Sequence, residues 1–278
     1  MIRHPHGGEF FLFTQDDHAR LSGQLAARVG NSRFAQPLPF AAVVDAVSMH
    51  DAGWPLHDSQ PTLNADHLPL HVFETPPTVS TRVWMESVRL ARGKGPYTGL
   101  LVSLHVLALS ALAHQHYCDP QVRQRNAAQV FELNKFQQAQ IETQETIRRE
   151  LGMRTDLPLP LGLAPLGTNA DEDLLNFNYQ ILKAMDQISL ALLCAGKPLT
   201  TIENAYPRPG AVPVDLRLGY VSPWMVSVNP WPFADQQIEL EAPYRAVPAR
   251  AYASEAEFRD VYAAADQQRM TVRVVRET

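Results

Sequence analysis

Met49-His50-Asp51-Ala52-Gly53-Trp54 is the stretch on which the reading of this chain turns. Before it, Phe40, Val43, Val44 and Val47 form an apolar stripe at the i, i+3, i+4, i+7 spacing of a core-facing helix, and His50 and Asp51 continue that stripe. The spacing predicts a helix over residues 39–52, ended by Gly53 and blocked from continuing by Pro55. A carboxylate aimed at a core is costly unless something pairs with it, so Asp51 needs a partner.

Candidate partners lie on other helices. Thr14 begins a helix-capping pattern with Asp16 and Asp17 in the first turn, which predicts a helix over 15–29 whose inner face is His18, Leu21, Leu25 and Val29. Helices are expected at 81–92, 97–117, 122–151 and 171–195, the last stopped by Gly196. The 97–117 segment carries His105 on a face with Tyr97, Leu101, Leu104, Ala108 and Leu112. Asp186 shares a face with Leu175, Tyr179, Leu182, Ser189 and Leu193. Residues 55–78 and 156–168 read as proline-rich connections, the first long enough to suggest a functional loop.

From Val212 the texture becomes β, with short strands expected at 214–220, 224–228, 237–241 and 270–275, one short helix at 255–264, and an earlier strand at 9–13. The expected fold is therefore mainly α. A helical core of residues 1–205 carries a small β-rich C-terminal subdomain of residues 206–278, whose antiparallel sheet the 9–13 strand could join.

Composition narrows the partners. The 278-residue chain has a formal net charge of −5 and no Lys/Arg cluster, which argues against a nucleic acid or an anionic membrane and leaves a small-molecule substrate. Cys118 and Cys194, far apart, offer neither a disulfide framework nor a thiolate zinc site and fit a cytoplasmic location. No signal-peptide pattern is visible. The apolar stretch 100–113, broken by Ser103, His105 and Ser110, reads as a buried central helix too short for a bilayer. Nothing in the sequence sets the oligomeric state.

A lone inward histidine is ordinarily a hydrogen-bonded core residue, and an aspartate can simply cap a helix. His18, His50, Asp51, His105 and Asp186 aimed inward together are harder to satisfy, unless they share a divalent transition metal such as iron, zinc, manganese or nickel.

The order His18, His50-Asp51, Asp186, with Gly53 two residues after Asp51, resembles the HD-domain superfamily of metal-dependent hydrolases. More closely, the chain resembles domain-of-unknown-function family 3891. The likeness lies in the run from Gln15 to Ala26, in His50-Asp51-Ala52-Gly53-Trp54, in Leu101-Val102-Ser103-Leu104-His105 and in Trp231-Pro232-Phe233. The superfamily resemblance implies an HD-like helical core with His18, His50, Asp51 and Asp186 as metal ligands. His105 becomes an additional ligand or a contact to substrate or water, and Asp51 and His105 become the catalytic candidates. The implied activity is hydrolysis by a metal-activated water, on a phosphoester in many members of the superfamily. Trp54, where nucleotide-hydrolysing members often carry a basic residue, suits an apolar ligand better. With Trp54, the residues Asp58, Tyr97 and Tyr179 are candidate substrate contacts. Two alternatives stand beside hydrolysis. One is an iron-dependent oxygenase, for which His116 lies about 16 Å along the helix from His105 and only the loop histidines His57, His67 and His71 remain as further ligands. The other is a non-catalytic binding or scaffold module.

Overall fold

Gly7 and Gly8, both with positive φ (56° and 86°), form a two-residue turn that only glycine takes easily, and it folds the N-terminus into a hairpin of β1 (Ile2–His6) and β2 (Glu9–Phe13). This computed structural model describes residues 1–119, 126–155, 169–195 and 199–277. The hairpin leads into α1 (Gln15–Ala26), where the Thr14 hydroxyl oxygen accepts the Asp17 N–H at 3.1 Å. Next come α2 (Phe40–Met49), the single turn α3 (Pro55–Asp58) and a 3₁₀ turn at Val72–Glu74. The long helices are α4 (Pro77–Lys94), α5 (Pro96–Cys118), α6 (Ala127–Glu150) and α7 (Ala170–Leu193). Proline at the first position opens α3, α4 and α5, where a missing N–H costs nothing.

The 55–78 connection thus contains two short helical turns and the start of α4. The 156–168 connection and the Gly196 stop lie outside the described residues. The last helix ends at Leu193, with the Cys194 N–H bonded to the Leu190 carbonyl at 2.8 Å.

Every residue from Thr98 to Leu107 is buried, so α5 is apolar all round rather than on one stripe. It forms the axis of the helical layer, packed by α2, α4, α6 and α7. At 23 residues it is long and apolar enough to cross a membrane, yet 61% of its apolar window is buried inside the protein, as for a core helix.

The expected mainly-α fold with a small C-terminal antiparallel sheet is not what forms. The strands β3 (Thr201–Ala205), β4 (Val214–Ser222), β5 (Met225–Asn229), β6 (Gln237–Pro248) and β7 (Gln267–Arg276) join the N-terminal hairpin in one seven-stranded sheet, ordered β1-β2-β6-β7-β5-β4-β3. The sheet is mixed: β5 and β7 run parallel and the other pairs antiparallel. It takes strands from both ends of the chain, with β2 pairing to the far end of β6 through Glu9–Pro248 and Phe10–Val247. The protein is α+β, and the HD-like all-helical core is replaced by helices laid on a large sheet.

Alternation along the strands sorts residues to two faces. Phe13, Ile238, Leu240, Ala242, Val272 and Val274 face the helical layer and its large core. On the other side of the sheet Phe10, Leu12 and Val247 form a small second core with Tyr252 and with Phe258 of α8 (Glu255–Ala264).

Candidate metal centre

Four helices converge on one buried point. His18 comes from the second turn of α1, His105 from the middle of α5 and Asp186 from the middle of α7, while His50 caps α2 and Asp51 follows it. All five side chains are buried. His18 Nε2 lies 2.9 Å from Asp186 Oδ1; His50 Nε2 lies 3.5 Å from the same oxygen and 3.6 Å from Asp51 Oδ2; His105 Nε2 lies 3.9 Å from Asp186 Oδ2. The rings of His18 and His50 meet edge to face at 5.3 Å, and those of His50 and His105 at 4.9 Å.

These spacings fit a shared ion. Two donors each about 2.1 Å from a metal lie roughly 3.0 to 3.4 Å apart at octahedral or tetrahedral angles. Two overlapping donor sets, His18–His50–Asp51 and His50–His105–Asp186, each keep their ligand atoms within 4.8 Å of one another. Buried His/Asp groups here could hold a metal ion.

The surroundings fix the ring orientations in favour of that role. His50 Nδ1 sits 2.7 Å from the Val47 carbonyl, which can only accept, so Nδ1 carries a proton and Nε2 is the ring nitrogen left to meet a cation. That Nε2 is buried without a hydrogen-bond partner. Ser189, one turn beyond Asp186, has its hydroxyl 3.3 Å from the His18 carbonyl and 2.8 Å from His18 Nδ1. Donating to the carbonyl, the hydroxyl accepts from Nδ1–H, which leaves the His18 Nε2 lone pair facing Asp186. Two acceptors 2.9 Å apart require a proton or a cation between them. The Trp54 indole N–H donates to Asp51 Oδ1 at 3.0 Å and holds that carboxylate toward His50.

Electrostatics show the same tension without an ion. Burial pulls the His50 pKa down, but Asp51 and Asp186 outweigh it and raise it to about 9. Burial raises the Asp186 carboxyl, yet hydrogen bonding and charge from His18, His50 and His105 hold it far below the usual range. Asp51 is raised by burial despite His50 and His18. His105 is pushed down to about 3 by burial and stays a neutral imidazole.

The His50–Asp51 turn is seated on α4. The Gly53 N–H donates to Ser87 Oγ at 2.9 Å, and a Cβ at Gly53 would stand 2.0 Å from the Val83 carbonyl oxygen.

A cavity of about 280 Å³ opens onto the centre, and His18, Asp51, His105 and Asp186 form its floor. Trp54 and Trp84 stand in its wall. A larger cleft of about 500 Å³ by Arg33, Trp231 and Arg276 touches none of these residues. The remaining sequence candidates lie elsewhere. Asp58 is buried in the joint below α1, bonded by the Gln15 N–H at 2.9 Å, the Met1 ammonium at 3.1 Å and His57 at 3.2 Å. The Tyr97 hydroxyl accepts from Asn178 at 2.7 Å, and burial raises the Tyr97 pKa to about 12. Tyr179 is buried in the main core, its pKa likewise raised to about 12 by burial and then by Asp186. Neither tyrosine lines the cavity. His57, His67 and His71 are engaged with Thr62, Tyr252 and Phe73 in turn, and His114 with Cys118. Ser189, Thr75, Ser80 and Trp84 were not picked out as site residues by the sequence. Only Ser189 carried a usable signal, its i+3 spacing from Asp186 on one helix face.

Together these features define an α+β protein with a buried histidine–aspartate centre at the floor of a mostly apolar cavity. The chain belongs to the family described as Protein of unknown function (DUF3891), whose model matches residues 1–249. Comparison with curated proteins and with solved structures finds no match.

Proposed function

We propose that this protein is a metal-dependent hydrolase of a small-molecule substrate. His18, His50, Asp51 and Asp186 would hold one divalent transition metal, and His105 would complete the set or face the substrate. The observation that carries the reading is His50 Nε2, a buried ring nitrogen with no hydrogen-bond partner, 3.5 and 3.6 Å from two carboxylate oxygens that a shared cation would bridge. A divalent ion among these donors supplies Lewis acidity and lowers the pKa of a water toward about 7. Two aspartates balance a 2+ charge, and the donor mix of imidazole and carboxylate suits iron, zinc, manganese or nickel.

The chain's own groups do the positioning. Trp54 and Ser189 hold Asp51 and His18 in place, Val47 orients the His50 ring, and the wall around Trp84 sets an apolar surface beside the donors. Asp51, on the cavity floor, can accept a proton from a water beside it.

Elemental analysis tests the site. Protein grown with iron, zinc, manganese and nickel should hold about one equivalent of metal, and His50→Ala should lose it. Absence of stoichiometric metal under all four supplies overturns the site. Two irons per chain with O₂ consumption would replace hydrolysis by oxygenation.

A further inference from the structure

Gln15, the first residue of α1, is buried in the cavity wall. Its backbone N–H is taken by Asp58 Oδ2 at 2.9 Å, but its side-chain Nε2 is buried with no hydrogen-bond partner. A buried amide left unpaired costs stability, so this donor is available to whatever enters the cavity. Most of the remaining wall is apolar, with Val72, Trp84, Leu109, Ala113 and Leu190, while Phe73 and Leu112 line it from exposed positions. Among the described residues the lining holds no Lys or Arg, and its charged groups are the carboxylates of Asp51 and Asp186. Beyond a bound metal, whose 2+ charge Asp51 and Asp186 balance, an anionic substrate would meet no cation from the chain. The volume of about 280 Å³ is near the small end of ligand cavities and holds roughly ten non-hydrogen atoms.

We propose, building on the hydrolase reading, that the cavity takes an uncharged, largely apolar ester or amide whose carbonyl oxygen accepts a hydrogen bond from Gln15. In the balanced step the oxygen of a water bonds to the acyl carbon and the acyl C–O or C–N bond breaks. One water proton ends on the departing alcohol or amine, so no further reactant is needed. The acid formed loses its proton at neutral pH and leaves as an anion that no Lys or Arg of the described lining holds.

Calorimetric titration of the metal-loaded protein with hexanamide and with hexyl phosphate tests this. Hexanamide should bind at least ~10-fold more tightly than hexyl phosphate. The near-isosteric Gln15→Met should weaken hexanamide binding roughly three- to ten-fold, as loss of one neutral hydrogen bond implies, with metal content unchanged and the melting temperature of the ligand-free protein equal or higher. Hexyl phosphate binding as tightly as hexanamide overturns the proposal, and so does a Gln15→Met protein that binds hexanamide like the parent. If the protein holds no metal yet shows the same Gln15-dependent preference, the ligand class stands and the hydrolase reading alone falls.

Discussion

At the scale of single residues, position on a helix face told which polar side chains point inward, but not what each one meets there. His18, His50, Asp51, His105 and Asp186 all belong to inward faces, and convergence follows once the helices pack. Asp58 shows the limit. Its place four residues past Trp54 made it a candidate substrate contact, yet its carboxylate is spent on the joint between α1, α3 and the N-terminal Met1. Nothing local could reveal this, because its partners Met1 and Gln15 are 57 and 43 residues away in sequence. Burial raises the Asp58 pKa, but the Met1 ammonium, His57 and the Gln15 N–H together lower it below the ordinary value. A carboxyl whose folded pKa is depressed contributes stability above its unfolded pKa of about 3.9, and that contribution is lost as the pH falls through the folded value. In urea unfolding at pH 7, Asp58→Asn should cost about 1–3 kcal/mol. As the pH falls below about 4 the parent should lose stability faster than the variant, so that the two curves converge in acid. Parallel curves across that range would show that Asp58 is not held as the anion.

At the scale of elements, the helices and five of the seven strands were legible, while β1, β3 and the second half of β6 were not. A helix announces itself through 3.6-residue periodicity, caps and prolines, all local, and α1, α2, α4, α5 and α7 follow those signals to within a few residues. Strand β1 hides behind Pro5, which is tolerated because β1 is an edge strand. Strand β6 runs on past Glu241 to Pro248 because Pro243 stands where only β7 is paired, β2 joining from Arg245 onward. The Gly7–Gly8 pair was the one local signal of the hairpin. Gly53 is the element-level hinge of the site, since it lets the α2 terminus rest on the α4 backbone. In Gly53→Ala the new methyl would meet the Val83 carbonyl at 2.0 Å and the Ser87 nitrogen at 2.6 Å, atoms that cannot swing aside. The expected cost is about 1–3 kcal/mol, with weaker metal retention as His50 and Asp51 shift together. Gly93→Ala, in the last turn of the same helix with nothing within 4 Å, should instead be neutral or stabilise by up to ~1 kcal/mol. Urea midpoints and metal content on both variants check the pair, and a harmless Gly53→Ala would mean the turn is not seated as described.

At the scale of the whole molecule, the sequence suggested that the 9–13 strand could join the C-terminal sheet, but not which strand it would meet or how large the sheet would be. That β2 adds to β6 depends on contacts more than 230 residues apart, which no window of local pattern contains. The result is a sheet with a core on each face, and the two cores carry different duties. The large one holds the donor cluster, while the small one, around Phe10, Tyr252 and Phe258, fastens α8 to the opposite side. Stability lent by the small core and stability lent by a bound ion should therefore be independent, because distant sites without shared partners add. Phe258→Ala empties a fully buried ring position and should cost about 3–5 kcal/mol. Chelation should lower stability separately, by about 4 kcal/mol if free metal stood at a thousand times its dissociation constant. The drop in unfolding free energy on chelation, read from urea unfolding, should be the same in the parent and in Phe258→Ala, and the folded variant should keep its full metal content. A chelation effect that shrinks markedly in the variant would mean that the two faces of the sheet are coupled, and that the centre depends on the β-layer as well as on the four helices supplying its donors.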